Sequence, residues 1–126
     1  MARFWLGVFL LITFLVLGLW VSYSMDVIHQ TISDTLQSAS QLALSGNGKA
    51  AAGLVRNART DWEKCWHRTA SVADHAPMDE IDGLFAQLPV YQDAQQLNEL
   101  AAVCARLSQL VAAVGEAHKL TWWNFL

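Results

Sequence analysis

The amino-acid sequence predicts an all-α protein in which an N-terminal transmembrane helix is followed by a small antiparallel helical bundle. Two observations predict this class. An uncharged run occupies residues 4–23, and apolar residues recur at steps of three and four through most of the remaining chain. No alternation of apolar and polar residues, which would indicate strands, competes with these helical patterns. We therefore predict two domains, an anchor over residues 1–24 and a helical bundle over residues 25–126.

The composition excludes several classes of protein. Of 126 residues, 54% are hydrophobic and only 15% are charged, whereas soluble domains carry about 25% charged residues. The length allows one compact domain and excludes a large multidomain enzyme. A net charge of -3 argues against a nucleic-acid partner, because such a protein needs a basic surface to neutralise phosphates.

The uncharged run has the length of a membrane span. Twenty helical residues rise about 30 Å, the hydrocarbon thickness of a bilayer. Trp5 lies near one end of the run, and Trp20 and Tyr23 lie near the other, as expected for rings at the headgroup level. The alternatives are a buried helix and a cleaved signal peptide, but signal peptides have a shorter apolar core of about 7–15 residues. We expect a retained signal-anchor that enters the lipid bilayer through residues 4–23.

The few charges near the span predict its orientation. Arg3 precedes the span, Asp26 is the first charge after it, and no basic residue follows until Lys49. The positive-inside rule then predicts a single-pass protein of the cell membrane, with a cytoplasmic N-terminus and an extracytoplasmic C-terminal domain. Within the span, Gly18 and Ser22 are spaced like a small-xxx-small pair, which lets another helix approach closely.

Four apolar stripes with helical spacing follow the span. The cluster Ser45-Gly46-Asn47-Gly48 is predicted to end the first helix, and Pro77 is predicted to lie in the first turn of the third helix. Pro89 is predicted to break that third helix. The second and fourth stripes are the longest, so they are predicted to form the central hairpin. The four stripes cover Ile28–Ala43, Ala51–Val72, Ile81–Leu88 and Leu97–His118.

The sequence contains no pattern that indicates catalysis. It has no Gly-x-Ser-x-Gly, no glycine-rich phosphate loop and no Cys-x-x-Cys. Cys65 and Cys104 lie on apolar stripes and are expected to behave as small core residues, although a disulfide between them stays open. His75 with Asp79 and Asp82 offers a weak alternative, a metal site. We predict no enzyme, no metal and no cofactor.

The tryptophans are the remaining candidates for function. Trp62 and Trp66 lie one helical turn apart, so they share a face that is expected to be core, with a ligand-binding aromatic wall as the alternative. Trp122 and Trp123 lie in the apolar C-terminal segment. They are expected to close the bundle, contact headgroups or bind a partner, with packing on the bundle as the first expectation.

Several of these residues resemble a known family. Asp61-Trp-Glu-Lys-Cys-Trp-His67, the segment His75–Leu88 and the end Leu120–Leu126 resemble domain-of-unknown-function family 4363, whose members are short bacterial single-pass membrane proteins with a helical segment. The resemblance implies that His75 bridges Asp79 and Asp82 across the Pro77 turn. The chain departs from the family pattern in its many alanines, its two cysteines and Trp122-Trp123. The matching positions are Trp62, Trp66, His75, Asp79, Ile81, Asp82 and Asn124.

These observations together favour an interaction protein. We expect a membrane-anchored helical bundle that acts as an interaction or accessory protein, docking on another membrane protein or associating with itself. The alternative is an extracytoplasmic sensor or ligand-binding module that acts through a partner, because Met1–Arg3 is too short to transmit a signal.

Overall fold

In the residues that it describes, the computed structural model has four α-helices. It describes residues 1–69 and 75–123, and the side chains of residues 1–67 and 75–117. These residues contain no β-strand, and the predicted all-α class is confirmed. The helices are α1 (Ala2–Leu44), α2 (Gly48–Thr69), α3 (His75–Asp93) and α4 (Leu97–Trp123).

Helix α1 joins the apolar N-terminal run to the bundle without interruption. Residues 2–24, which we call the stalk, have no buried side chain, and their large apolar residues, such as Phe14, are exposed. From His29 onward the same helix buries one face. The boundary drawn at residues 24 and 25 therefore falls inside one helix, which fixes the direction in which the stalk leaves the bundle.

A glycine turn connects α1 to α2, as predicted. Gly46 has a φ of 85°, a left-handed conformation that glycine adopts without steric cost. Its N–H donates to the carbonyl of Ala43, and the N–H of Asn47 donates to the carbonyl of Leu42, which is the Schellman ending of a helix. The side chain of Asn47 then accepts from the N–H of Ala50 at 3.2 Å and caps α2.

Each helix packs antiparallel to its neighbours, but the predicted central hairpin is wrong. The most extensive interface joins α1 to α4, the next joins α1 to α2, and α3 packs mainly on α4. Helices α2 and α4 therefore lie diagonally across the bundle. The prediction paired α2 with α4 because these stripes are the longest. In the structure α4 packs on α1 instead, because small side chains on both helices let them approach closely.

The interface between α1 and α4 is a seam of small and hydroxyl side chains. Ser33 and Ser108 donate reciprocally to each other's backbone carbonyls at 2.9 Å, and Ser40 donates to the carbonyl of Ala101 at 2.8 Å. A hydroxyl reaches a carbonyl of the neighbouring helix only where the two backbones lie close together. Ala101, Ser108 and Gly115 follow one another at steps of seven, so each heptad of α4 presents a small residue to α1.

Within the described side chains the four apolar stripes form the core as predicted, and one helix boundary differs. The predicted stripe ends at Val72 and His118 lie outside those side chains. Helix α3 begins at His75, with Pro77 in its first turn, and continues through Pro89 to Asp93. Pro89 is exposed, so its ring leaves the core packing undisturbed, and the helix continues into the bond from Ala94 N–H to the carbonyl of Val90. The largest fully buried side chains include Trp62, Phe85, Ile32, Leu36, Ile81, Leu88, Leu100 and Leu107.

Candidate functional site

Polar and aromatic side chains of three helices meet at the end of the bundle nearest the stalk. The last turns of α2 and the first turns of α3 lie beside the part of α1 that follows the stalk. We call this group the stalk-end cluster, and it consists of His29, Trp62, Cys65, Trp66, His75 and Asp82.

His29 is the centre of the stalk-end cluster and is only 2% exposed. Its Nδ1 lies 2.7 Å from the carbonyl of Met25, so Nδ1 carries the proton and donates. Its other ring nitrogen, Nε2, lies 3.9 Å from the sulfur of Cys65, within the range of a weak hydrogen bond to a thiol. This contact connects the imidazole of α1 to α2.

Gly115 of α4 makes room for this histidine. A β-carbon added at Gly115 would lie 3.1 Å from Cβ of His29, closer than ordinary van der Waals contact. The absence of a side chain at Gly115 lets α4 cover the imidazole and complete its burial.

Trp62 connects α2 both to α1 and to α3. Its ring lies edge-on to the ring of His29, with 6.2 Å between centroids, a favoured aromatic arrangement. Its Nε1–H donates to Oδ1 of Asp82 at 3.0 Å. The bond is charge-assisted and satisfies the polar edge of an indole that is 1% exposed. The expectation that Trp62 lies in the core is therefore confirmed.

A second aromatic pair joins the ends of α2 and α3. The rings of Trp66 and His75 are 5.8 Å apart and nearly perpendicular. Trp66 is half-buried and His75 is exposed, so this pair covers the outer side of the stalk-end cluster.

The implied bridge from His75 to two acids is wrong. Asp82 accepts from Trp62 instead, and the ring of His75 packs against Trp66. His75 and Asp82 are seven residues apart in one helix, a rise of about 10 Å. The imidazole of His75 cannot reach across that distance to the carboxylate of Asp82. Asp79 is exposed on the surface of α3 and is not part of the stalk-end cluster.

The remaining predicted site residues lie at the C-terminus. Trp122 and Trp123 form the last residues of α4, and their side chains lie outside the described part of the chain. Asn124 lies outside the described residues altogether.

A shallow groove opens between α1 and α2 beside the stalk-end cluster. Its volume is about 260 Å³, below the roughly 300–1,000 Å³ of sites for drug-sized ligands. Its floor is apolar, with one acidic and one basic residue at its rim, so it suits a small amphiphilic group. It is lined by Met25, Val27, Ile28, Thr31, Ile32, Asp61, Lys64 and Cys65.

The two cysteines are buried and form no disulfide, as expected of core residues. They lie on the diagonal helices α2 and α4, which explains why no disulfide joins them. Burial raises the pKa of the Cys104 thiol from 9.0 to about 11, because the low-polarity core disfavours the thiolate. Cys104 is therefore a packing residue at neutral pH.

The stalk-end cluster offers hydrogen bonds and aromatic contacts between helices. Among the described side chains, those of residues 1–67 and 75–117, no three His, Cys, Asp or Glu lie close enough together to hold a metal ion. The described contacts of His29, Trp62 and Asp82 join helices to one another, which fits a site that sets the geometry of the bundle above the stalk.

Sequence reasoning missed His29 and the small-residue seam. His29 looks isolated along the chain, yet His29, Leu36 and Ala43 are spaced by seven and all are buried. Ser33 and Ser40 repeat the same step. A search for polar and small residues in heptad register would have found both.

Comparison with protein-family models matches residues 19–125 to a family described as a domain of unknown function, DUF4363. The match covers the whole bundle and the last turns of the apolar run. No curated protein and no solved structure matches the chain.

Proposed function

Since the chain belongs to the DUF4363 family, whose function is unknown, we propose its function from its architecture: a membrane-anchored helical bundle that serves as an interaction or accessory protein. The stalk enters the lipid bilayer through residues 4–23, and the bundle docks on another membrane protein or on a second copy. The chain is single-pass, with its N-terminus in the cytoplasm and its bundle outside the cell membrane.

One observation carries the proposed anchoring. The most apolar 18-residue window of α1 has no buried residue, although its side chains are among the largest in the chain. An exposed apolar surface of this extent marks a protein or membrane interaction site, and its length matches the thickness of a bilayer. Helix α4 is also long and apolar enough to span, but 44% of its window is buried, as expected of a core helix.

The continuity of α1 supports a scaffolding function. Because one helix forms both the stalk and a wall of the bundle, the position of the bundle relative to the bilayer is set by a rigid rod rather than a linker. The large exposed apolar residues of the described bundle include Leu44 and Val90, both near the end farthest from the stalk. These residues are candidates for contact with a partner.

Photocrosslinking in native membranes tests the interaction. A photoreactive residue replaces Val90 at the exposed end of the bundle, or Phe14 on the exposed stalk. We expect adducts of higher mass from at least one position. The same group at the buried Phe85 is the matched control and is expected to give monomer only. Recovery of monomer alone from both exposed positions would contradict the proposal.

The groove between α1 and α2 favours a second candidate function, a ligand-binding or sensor module that acts through a partner. Thr31 is exposed and lines the groove, so Thr31→Trp should fill it, whereas Thr60→Trp on the exposed surface of α2 leaves it open. A small amphiphile that raises the melting temperature of the native chain and of Thr60→Trp, but not of Thr31→Trp, would favour this second function.

A further inference from the structure

We propose that the C-terminal end of α4, Lys119–Trp123, is a second lipid contact that rests in the headgroup layer of the bilayer entered by the stalk. This inference rests on the proposed anchoring of the stalk. It gives the bundle two points of contact with one membrane, and its partner is the headgroup region of that membrane.

Hydrogen bonds between α1 and α4 fix the register of the two helices. Ser108 lies opposite Ser33, and Ala101 lies opposite Ser40. The two helices therefore run antiparallel, and their register is unchanged over seven residues. The close approach of Gly115 to His29 extends this pairing toward the stalk.

The same register extends to the end of α4. Trp122 lies two heptads beyond Ser108, and Leu19 lies two heptads before Ser33. Helix α4 continues to Trp123, and each heptad adds about 10 Å along both helices. The end of α4 therefore reaches the level of the last turns of the stalk.

The face of α1 that is turned toward α4 continues into the stalk. Positions 18, 22, 25, 29, 33 and 40 lie within about 80° of one another around the helix. Gly18 and Ser22 are less exposed than the neighbouring Leu19 and Trp20. The small-xxx-small pair therefore continues the face that packs on the chain's own α4.

The end of α4 contains the residue types that are common at a membrane interface. Residues 119–123 contain one cation and two tryptophans, and indoles and lysines concentrate where hydrocarbon meets headgroups. Trp20 and Tyr23 of the stalk lie at the same level and belong to the same aromatic class. The helix end that carries these residues and the last turns of the stalk therefore lie at one level along the bundle, as expected of a headgroup contact.

Depth measurement by electron paramagnetic resonance tests the proposal on the full chain in phosphatidylethanolamine and phosphatidylglycerol vesicles. A nitroxide is attached at Thr121→Cys, with Val16→Cys in the stalk and Glu99→Cys at the far end of α4 as controls. Both native thiols are buried, so the labelled wild type gives the background. Accessibility to oxygen and to an aqueous nickel complex reports depth.

We expect the label at Thr121→Cys to report a headgroup depth, Val16→Cys a hydrocarbon depth and Glu99→Cys an aqueous position. Adding Trp122→Ser and Trp123→Ser should move the Thr121→Cys label to at least twofold higher accessibility to nickel, with helicity unchanged. If Thr121→Cys is as accessible as Glu99→Cys while Val16→Cys is in the hydrocarbon, this proposal is overturned and the anchor stands. If Val16→Cys is also aqueous, the anchor itself fails.

Discussion

The indole Nε1–H of Trp62 in α2 donates to Oδ1 of Asp82 in α3 at 3.0 Å. The indole is buried and the carboxylate lies at the surface, so this bond satisfies the polar edge of the largest core side chain and fixes α3 on α2. Few other contacts join these two helices, which makes the bond important to how the third helix is placed.

Loss of the Asp82 carboxylate should therefore destabilise the bundle. We expect Asp82→Ala to lower the free energy of unfolding by about 1–2 kcal/mol, because a buried N–H loses a charged acceptor. Asp82→Asn, which keeps an acceptor, should lose less. Urea unfolding in detergent, followed by tryptophan fluorescence, measures the change. Asp93→Ala at the exposed end of α3 is the control, and an equal effect of both alanine variants would contradict this account.

The close approach of Gly115 to His29 predicts opposite effects for two glycine substitutions. Alanine stabilises an exposed helix interior by about 1 kcal/mol relative to glycine. Gly83 in α3 has open space for a β-carbon. Gly83→Ala should therefore raise the melting temperature. Gly115→Ala should lower it, because the enclosed His29 has no room to move. Thermal unfolding by circular dichroism compares the two, and equal stabilisation by both would show that α4 is not tightly packed there.

Pro89 predicts a stabilising substitution. Proline lacks the N–H that would bond to the carbonyl of Phe85 and disfavours the preceding turn, at a cost of up to about 3 kcal/mol in a helix interior. Since Pro89 is exposed, Pro89→Ala should stabilise α3 by about 1–3 kcal/mol without changing the core. The same urea unfolding measures it, and a loss of stability would mean that the proline shapes the turn into α4.

The raised pKa of Cys104 predicts a loss of stability at high pH. The native state keeps the thiol proton up to about pH 11, whereas the unfolded chain releases it near 9.0. Stability is therefore fully present below pH 9 and falls as pH rises through 11, by at most about 3 kcal/mol. As pH rises from 8 to 11, the unfolding free energy of wild type should fall toward that of Cys104→Ala by this amount. If the two free energies change in parallel with pH, the raised pKa of Cys104 is contradicted.

The sequence predicts local structure in this chain well, because helix formation follows local periodicity. Ile32, Leu36, Ala39 and Ala43 lie on one predicted stripe and all are buried. The turn at Gly46 follows from the conformational freedom of glycine. Such signals need no knowledge of the neighbouring helix.

The pairing of helices could not be predicted from those stripes. Length favoured α2 with α4, yet the close contact between α1 and α4 depends on hydroxyls such as Ser33 and Ser40, which bond to carbonyls of another helix. His29 was missed for the same reason, since its burial depends on space left by Gly115. At Pro89 the local signal was misleading. Proline predicts a helix break, but this exposed proline removes only one backbone hydrogen bond and α3 continues through it.

The most direct test of the central claim, that the exposed stalk of α1 is a membrane span, is alkaline extraction of membranes from cells that express the full chain. Leu11→Arg with Leu15→Arg places two charges on the stalk, each costing about 2.5–3.5 kcal/mol in the bilayer. Gln37→Arg with Gln41→Arg places the same charges on exposed positions of the same helix within the bundle. We predict that wild type and the bundle variant stay in the membrane pellet while the stalk variant is released, and release of the wild type would contradict the account.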